Sequence, residues 1–417
     1  GGFIKKTLYQ AIMVGTISIF LTFGFKIHIS HIVAKETLAL FFTAIDIFSL
    51  VLLILIGFRS SMVVAYSKTK DDAKILNIFR IILIAMVLLA WAFVLPYLKH
   101  EMGVTIHYWY LVAMIIAMGL FAYLSNQLAM YHHYALINKT TYIEPILTIA
   151  WFMIAFYIAQ VPPLQALFIS TTMASLGVSS FIIIQKRKLS HEPAFKKVQL
   201  SDEMKLFLKN SFVSTLEFGS GIVMMYLAVI FIVRYFSIDD LGDFQVVVKP
   251  VLMAMIALFI FPIFRFILPE LSKLVAQKNY KEIFLIKRWI YTFSFIVSSL
   301  FLAIMILFGQ KLTLLLFPDL YANAYFILTH LAFFFVFIML NAYQLSFIKA
   351  SGAFMSALLI RLSGIAIFIL SFYAIYTFYS TNIISVIFAL MLGYVGMFIL
   401  SLFVERKLLK EALPSSI

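Results

Sequence analysis

The chain has 417 residues, of which 64% are hydrophobic and only 12% are charged, and its formal net charge is +14. A soluble chain of this length cannot hide so much apolar surface, so the composition excludes an ordinary soluble protein and predicts an all-α polytopic membrane protein. The absence of cysteine excludes disulfides, thiolate nucleophiles and cysteine-ligated metal sites.

Twelve apolar runs of about twenty residues follow one another, the length that a helix needs to cross about 30 Å of hydrocarbon. The first run, from Thr7 to about Ile27, has no small-residue cleavage site behind it, so we expect a retained span rather than a signal peptide. The predicted spans are 7–28, 38–58, 78–97, 107–135, 141–160, 164–185, 210–234, 243–264, 289–309, 322–348, 354–378 and 382–404.

The distribution of basic residues predicts the orientation of these spans. An even number of spans places both termini on one side, and a cytoplasmic N-terminus puts nearly all lysines and arginines in cytoplasmic segments, as the positive-inside rule requires. The exceptions on the outer side are Lys26, Lys35, Lys99, Arg234, Lys249 and Lys311. We therefore interpret the positive charge as loop charge facing anionic lipid and expect no nucleic-acid partner.

The chain reads as a duplication. The longest polar stretch predicts a cytoplasmic linker at 185–209, between an N-lobe at 1–184 and a C-lobe at 210–404 that ends in a cytoplasmic tail at 405–417. A shift of 203 residues superposes Lys6 on Lys209, and in each half we expect the second span to run into a cytoplasmic stretch, 59–80 or 265–288. Two parallel six-helix lobes around a central cleft are typical of transporters.

Four short segments give the chain a family resemblance. They are the basic start before the first span (Lys5-Lys6-Thr7-Leu8), the start of the second span (Lys35-Glu36-Thr37-Leu38-Ala39-Leu40-Phe41-Phe42), its end (Ile56-Gly57-Phe58-Arg59-Ser60-Ser61-Met62) and the repeated pattern Asp239-Asp240-Leu241-Gly242-Asp243-Phe244. With them the chain resembles the oligosaccharide-lipid flippases of the multidrug/oligosaccharidyl-lipid/polysaccharide exporter superfamily.

The resemblance implies two six-helix lobes that flip an undecaprenyl-pyrophosphate-linked oligosaccharide from the cytoplasmic to the periplasmic leaflet of a bacterial inner membrane. Lipid II flippases are similar but usually carry two further helices, so an O-antigen or capsule-type repeat unit is the favoured cargo. The expected partners are this polyprenyl-linked glycan, membrane lipids, a coupling ion (H⁺ or Na⁺) and other polysaccharide-assembly proteins. No cofactor and no metal site is expected.

Basic side chains within or beside the spans are candidate ligands for an anionic head group, because an ionisable group at membrane depth is costly. Arg361 is the first choice, since its planar fork matches phosphate oxygens, although an ion pair with Glu217 explains it equally well. Arg59 and Arg265 end the second and eighth spans, where they either snorkel to the head groups or line the cargo entrance. The further substrate-binding candidates are Lys249, Arg234 and Lys26.

Three acidic residues are candidates for gating or ion coupling: Asp46, Glu217 and Glu144. The repeat superposes Asp46 on Lys249, which predicts a pair that closes the periplasmic gate, against separate local contacts for each. For Glu144, the sequence Thr141-Tyr142-Ile143-Glu144 fits a capping box at a helix start, and this reading competes with ion coupling.

Polar amides fall at matching places in the fourth and tenth spans: Asn126, Gln127, Asn341 and Gln344. Hydrogen bonding between helices is the default reading, and glycan contact is the alternative. An enzyme is disfavoured because the outer loops are short and no nucleophile, paired-carboxylate or glycine-rich phosphate motif is present. No pore-filter sequence supports a channel. A cation-coupled drug antiporter of the same superfamily stays open, although basic candidates outnumber acidic ones and favour an anionic cargo.

Overall fold

The computed structural model describes residues 2–100, 106–189 and 192–413, and these segments are helical without any strand. The helices, numbered for this article, begin and end as follows: α1 Gly2–Ile32, α2 Lys35–Val51, α3 Leu53–Thr69, α4 Asp72–His100, α5 Tyr108–Met130, α6 Tyr134–Ile158, α7 Pro163–Lys186, α8 Asp202–Tyr235, α9 Ile238–Phe259, α10 Leu268–Ala276, α11 Tyr280–Leu316, α12 Ala324–Ala350, α13 Phe354–Phe378 and α14 Ile384–Ala412.

The predicted set of membrane spans is confirmed. Within the described segments, 11 helices are long and apolar enough to cross a membrane. The helices α2 and α3 meet at a bend of 41° and together make a twelfth span. With this pair as one span, every predicted span coincides with a helix, so the chain is a multi-pass, all-α membrane protein.

The structure shows where the stretches after the second and eighth spans are interrupted. The helix α3 continues ten residues past Arg59 to Thr69, and α4 begins at Asp72, so the stretch 59–80 is helical except at Lys70 and Asp71. Lys70 adopts a left-handed conformation, and the Asp71 side chain caps α4. In the second half, α10 and α11 fill 265–288 and are separated at residues 277–279. A helix ends where a cap stops it, not where the hydrocarbon ends.

The chain forms two compact units, Gly1–Gly219 and Ser220–Ile417, called here the N-terminal unit and the C-terminal unit. The division falls within α8, so the predicted lobe boundaries (1–184 and 210–404) stay predictions. In the N-terminal unit α7 packs on α5 and α6, and α3 packs on α5. In the C-terminal unit α14 packs on α12 and α13, and α10 packs on α12. This shared pairing inside each unit supports the predicted repeat.

Small residues allow α3 to approach the first part of α8 closely within the N-terminal unit. A Cβ added at Gly57 would collide with Thr215, so only glycine fits at this crossing. One turn further along, the hydroxyl oxygens of Ser61 and Ser211 lie 2.5 Å apart. Close backbone approach combined with a hydroxyl bond is the packing that holds helices together in lipid, where no hydrophobic force drives their association.

The segment after α7 is anchored to the N-terminal unit through Glu192. Its carboxylate accepts hydrogen bonds from Tyr123 (2.6 Å), from Gln127 (2.7 Å) and from Lys186, and it pairs with Arg80 at 2.5 Å. The Lys186 amino group also donates to the Gln127 amide oxygen. These donors come from α4, α5 and α7, so one carboxylate joins three helices at the end where α7 stops. We call this group the Glu192 cluster.

A related group, the Glu405 cluster, occupies the end of the C-terminal unit. Glu405 on α14 is buried; its carboxylate pairs with Lys287 of α11 and accepts a hydrogen bond from the Gln344 amide of α12, both at 2.5 Å. The Tyr291 hydroxyl donates to the oxygen of the same Gln344 amide at 2.7 Å. The hydrogen bonding between helices predicted for Gln127 and Gln344 is therefore confirmed, and each of the two amides holds a carboxylate against a base.

The Glu192 cluster makes stability depend on pH. Burial by itself raises the pKa of Glu192, but the hydrogen bonds from Lys186, Tyr123, Gln127 and Arg80 outweigh it and lower the pKa to about 2. Because this value lies below the ordinary 4.5, the carboxylate stabilises the folded state fully above pH 4.5. The stabilisation is lost as the pH falls towards 2.

We expect Glu192→Gln to lower the melting temperature of the detergent-solubilised protein at pH 7, because the amide cannot pair with two bases. The difference from the wild type should shrink between pH 5 and about pH 3, because the unfolded wild-type chain takes up the proton near pH 4.5 while the folded carboxylate stays ionised. Glu203→Gln, an exposed acid in the first turn of α8, is the control and should change little at any pH. A Glu192→Gln deficit that is equal at pH 7 and pH 3 would contradict this account.

Candidate functional site

A cavity of about 370 Å³ lies inside the N-terminal unit. It is enclosed by α1, α2, α3, α5, α6 and α7, and its wall mixes aromatic rings with hydroxyl groups. The lining side chains that give it this character are Phe25, Phe41, Phe42 and Phe121, together with Thr22, Ser49, Ser125, Thr148, Ser170, Thr171 and Ser175. An apolar pocket that carries a few convergent polar groups is the usual form of a small-molecule or head-group site.

Three of the sequence-predicted site residues line this one cavity: Lys26, Arg59 and Glu144. They come from α1, α3 and α6, so only the tertiary fold brings them together. The Lys26 amino group lies 4.1 Å from the centre of the Phe42 ring, a cation–π contact that retains a charged group in a largely apolar wall. Two bases against one acid leave the cavity with a positive bias when all three groups are ionised.

Asn126 positions the Arg59 guanidinium. The Arg59 Nε donates to Asn126 Oδ1 at 3.1 Å, and the Asn126 amide nitrogen donates back to the Leu55 carbonyl of α3. Asn126 is fully buried, so its amide has no water to bond and depends on these partners. The Nε of Arg59 is thus engaged by the asparagine, and Arg59 is one of the residues that line the cavity. The bond between helices predicted for Asn126 is confirmed.

Glu144 lies in the interior of a helix, so the capping-box interpretation is wrong. The helix α6 begins at Tyr134 with His133 as its N-cap, and the Thr141 hydroxyl bonds back to the Ile137 carbonyl at 3.0 Å. The mistake arose because the apolar run starts near Thr141 while the helix itself starts a full two turns earlier. Pro145 follows inside the same helix and cannot donate a backbone hydrogen bond, which weakens the helix beside the cavity.

The remaining basic candidates lie in the C-terminal unit, against aromatic rings or small residues. The Arg361 guanidinium covers Gly221 of α8 so closely that any Cβ there would collide with it, and it lies 5.9 Å from the Phe264 ring centre. The Lys249 amino group lies 5.4 Å from the Tyr226 ring centre. Exposed Arg234 lies 5.9 Å from the ring of its neighbour Tyr235.

The other candidates keep their predicted roles as predictions. Asp46 is buried in α2, and Glu217 is partly buried in the portion of α8 that belongs to the N-terminal unit. Arg265 lies in the π-helical turn Ile263–Ile267 that precedes α10, and its side chain falls outside the described part of the chain. Arg59 lies inside α3, which continues ten residues past it to Thr69.

Known structures share this arrangement of helices. An inward-facing multidrug resistance MATE family transporter of the MOP superfamily superposes with a TM-score of 0.75 at 13% identity, over 98% of this chain and 99% of that one. The lipid II flippase MurJ in an inward closed conformation gives 0.71 at 16% identity, over 99% and 90%. An outward-facing MATE transporter gives 0.65 at 14% identity, over 99% and 97%.

The chain has the fold of the MATE transporters and of MurJ. Identities this low establish the fold alone. No protein-family model matches the sequence, and no curated protein matches it. The resemblance noted in the sequence is therefore confirmed at the level of the fold, and the cargo has to be argued from the site.

Sequence reasoning missed the acids of the two clusters and most of the cavity wall. Glu192 stands alone between two groups of basic residues, Lys186-Arg187-Lys188 and Lys196-Lys197, and this contrast was the available signal. The hydroxyl and phenylalanine residues of the cavity gave no signal, because such residues are spread along every span. They form the cavity wall only because the fold brings six helices together.

The link between Arg59 and Asn126 can be measured with a double-mutant cycle. We expect Arg59→Leu and Asn126→Leu to be coupled by about 0.5–3 kcal/mol in the free energy of unfolding, because each change leaves the partner's buried polar group unsatisfied. Unfolding in mixed detergent micelles provides the measurement. The control cycle pairs Arg59→Leu with Asn77→Leu, a buried asparagine that bonds Arg80 instead, and should be additive. Additivity in both cycles would refute the positioning role.

Proposed function

We propose that the protein moves an anionic, lipid-linked cargo across the membrane by alternating access, and that the cargo is a polyprenyl-pyrophosphate-linked oligosaccharide. The observation that carries the proposal is the cavity of the N-terminal unit, where Lys26 and Arg59 face one carboxylate, Glu144. Guanidinium and ammonium groups in a site poor in water are suited to phosphate oxygens. The aromatic and hydroxyl wall suits a sugar attached to that phosphate.

The fold supports the transport part of this proposal. MATE transporters and MurJ, whose names describe multidrug resistance and lipid II flipping, are built on the same helical arrangement. In the proposed cycle the pyrophosphate head enters the basic cavity while the prenyl tail stays in lipid. Further head-group contacts are proposed for Arg361, Arg265, Lys249 and Arg234. Transport without covalent chemistry follows, so we propose that the protein is not an enzyme.

The proposed setting is a bacterial inner membrane with both termini in the cytoplasm, supported by the bias of basic residues towards one side of the spans. An O-antigen or capsule-type repeat unit is the proposed glycan, with other polysaccharide-assembly proteins as partners. Energy is proposed to come from the membrane potential, from protons or from sodium, with Asp46, Glu217 and Glu144 as carriers. Flipping assays with each gradient collapsed in turn identify the source.

The cavity bases provide the direct test of the cargo. We expect Arg59→Gln to slow the flipping of a fluorescent polyprenyl-pyrophosphate sugar in proteoliposomes by about tenfold or more, since a charge-assisted bond to phosphate contributes about 1.5–3 kcal/mol. Lys26→Gln should reduce the rate in the same direction. Arg187→Gln removes an exposed base at the end of α7 and should leave the rate unchanged.

The alternative function is a cation-coupled drug antiporter, and Glu144 is the feature of the cavity that favours it, since a carboxylate attracts a cationic drug. Wild-type protein that extrudes an organic cation and does not flip the lipid probe would replace the proposed cargo with this one. Lipid II is the second alternative, and it is tested with a lipid II probe in the same vesicles.

Asp46 and Lys249 are proposed to pair in the state that is closed on the periplasmic side. Reversal of either charge alone, as Asp46→Lys or Lys249→Asp, should slow flipping because it places like charges together. The double reversal should restore the rate, since it keeps the pair with its partners exchanged. Failure of the double variant to recover, in proteins that elute as folded monodisperse particles, would argue against direct pairing.

A further inference from the structure

A second pocket opens at one end of the C-terminal unit, where α11 begins and α14 ends. Its volume is about 450 Å³. Its lining consists of three bases, the single acid Glu405 and three leucines. The bases are Lys287, Arg406 and Lys410, and the leucines are Leu402, Leu409 and Leu413.

The charged groups of this pocket differ in whether a group of opposite charge lies beside them. Glu405 is buried and is held by Lys287 and by the Gln344 amide, so its negative charge is already balanced within the Glu405 cluster. Arg406 and Lys410 are exposed, and no carboxylate of the described chain lies within ion-pair distance of either. They are four residues apart on one helical face, where like charges repel each other. An anion between them would relieve this repulsion.

The pocket lies where two spans leave the hydrocarbon. The helix α14 carries no charged residue from Ile384 to Val404 and several from Glu405 onward, whereas α11 carries charged residues up to Arg288 and none from Trp289 to Gln310. Trp289 is 62% exposed and Phe403 is 65% exposed, and exposed aromatic rings of this kind, tryptophan above all, mark the level of the lipid head groups. Lys287 and Arg406 therefore lie at head-group depth, and Leu402 lies on the side of the acyl chains.

The N-terminal unit offers a comparison, because a carboxylate already lies against the bases at the end of its last span. There the segment after α7 brings its own carboxylate, Glu192, against the bases Arg80 and Lys186, and the Pro193 carbonyl accepts a further bond from Arg80 at 2.6 Å. In the C-terminal unit the acid is part of α14 itself, and the neighbouring bases Arg406 and Lys410 face an open pocket instead.

We propose that this pocket binds the phosphate head group of an anionic phospholipid, with Arg406 and Lys410 as the phosphate ligands and Leu402 of α14 against the first acyl segment. Basic pockets between spans at the membrane surface are suited to such lipids. The proposal does not depend on the cargo, because the pocket and the cavity of the N-terminal unit share no residue. Its failure would leave the proposed function untouched.

The test measures lipid retention by the full chain in detergent. Native mass spectrometry with added phosphatidylglycerol or phosphatidylcholine should show selective retention of phosphatidylglycerol by the wild type. The double variant Arg406→Gln/Lys410→Gln should weaken that binding by about tenfold, because each base near an anionic lipid surface contributes to affinity. The charge-conserving variant Arg406→Lys/Lys410→Arg should retain it, which separates lost charge from lost folding.

The control double variant is Arg187→Gln/Lys188→Gln, two exposed bases at the end of α7 that line neither pocket. It should bind phosphatidylglycerol as the wild type does. Equal loss in both double variants would show general charge attraction and overturn the site, as would full retention by the pocket variant. Inorganic phosphate is the third probe: if it raises the melting temperature and phosphatidylglycerol adds nothing further, the site binds a soluble anion and the lipid proposal is wrong.

Discussion

Hydrocarbon offers no hydrogen-bond partner, so each polar side chain at membrane depth has to find one inside its own helix bundle, and this constraint organises both units. The two clusters, which lie at the ends of the spans, pair their charged groups in the same manner. In each, a glutamine amide from the unit's fourth span (Gln127 or Gln344) holds a carboxylate that also pairs with a base of the third span. Such bonds are stronger in a low dielectric than in water.

The hydrogen bonds and ion pairs of the two clusters restrict motion within each unit. They join three helices at the end where the unit's last span finishes, and breaking one would leave a charged group buried without its partner. We therefore infer that this end is the more rigid one. The cavity of the N-terminal unit lies beside features of the opposite kind, the bend between α2 and α3 and the proline in α6. Both interrupt a regular helix next to the candidate site, where a change of shape is useful.

The fold does not choose the cargo, because the same helical arrangement is found in proteins named for multidrug resistance and for lipid II flipping. The choice rests on the charges of the site. When Lys26, Arg59 and Glu144 are all ionised, the single carboxylate balances only one of the two bases, so the cavity favours an anion. Asn126 matters here because its bond to Nε ties Arg59, a residue of the cavity wall, to α5.

The sequence predicted the parts of the candidate site better than their arrangement. Lys26, Arg59 and Glu144 stood out as costly charges in apolar runs, and the amides of the fourth and tenth spans stood out as polar residues in need of partners. The capping box at Glu144 failed for a physical reason: local spacing describes a helix start equally well wherever the helix begins, and only the backbone shows that α6 begins at Tyr134. For 59–80 the sequence predicted a cytoplasmic stretch without helix bounds, because hydropathy marks the membrane boundary and not the helix end.

The sequence by itself determined the number of spans, their apolar length and the bias of positive charge, since each of these follows from the chemistry of single residues against lipid and water. The tertiary structure alone decided which charges meet. Residues 26, 59 and 144 share a cavity because α1, α3 and α6 converge, and Glu192 finds Arg80, Gln127 and Lys186 because three helices end together. Contacts of this kind join residues far apart in the chain, and no local pattern encodes them.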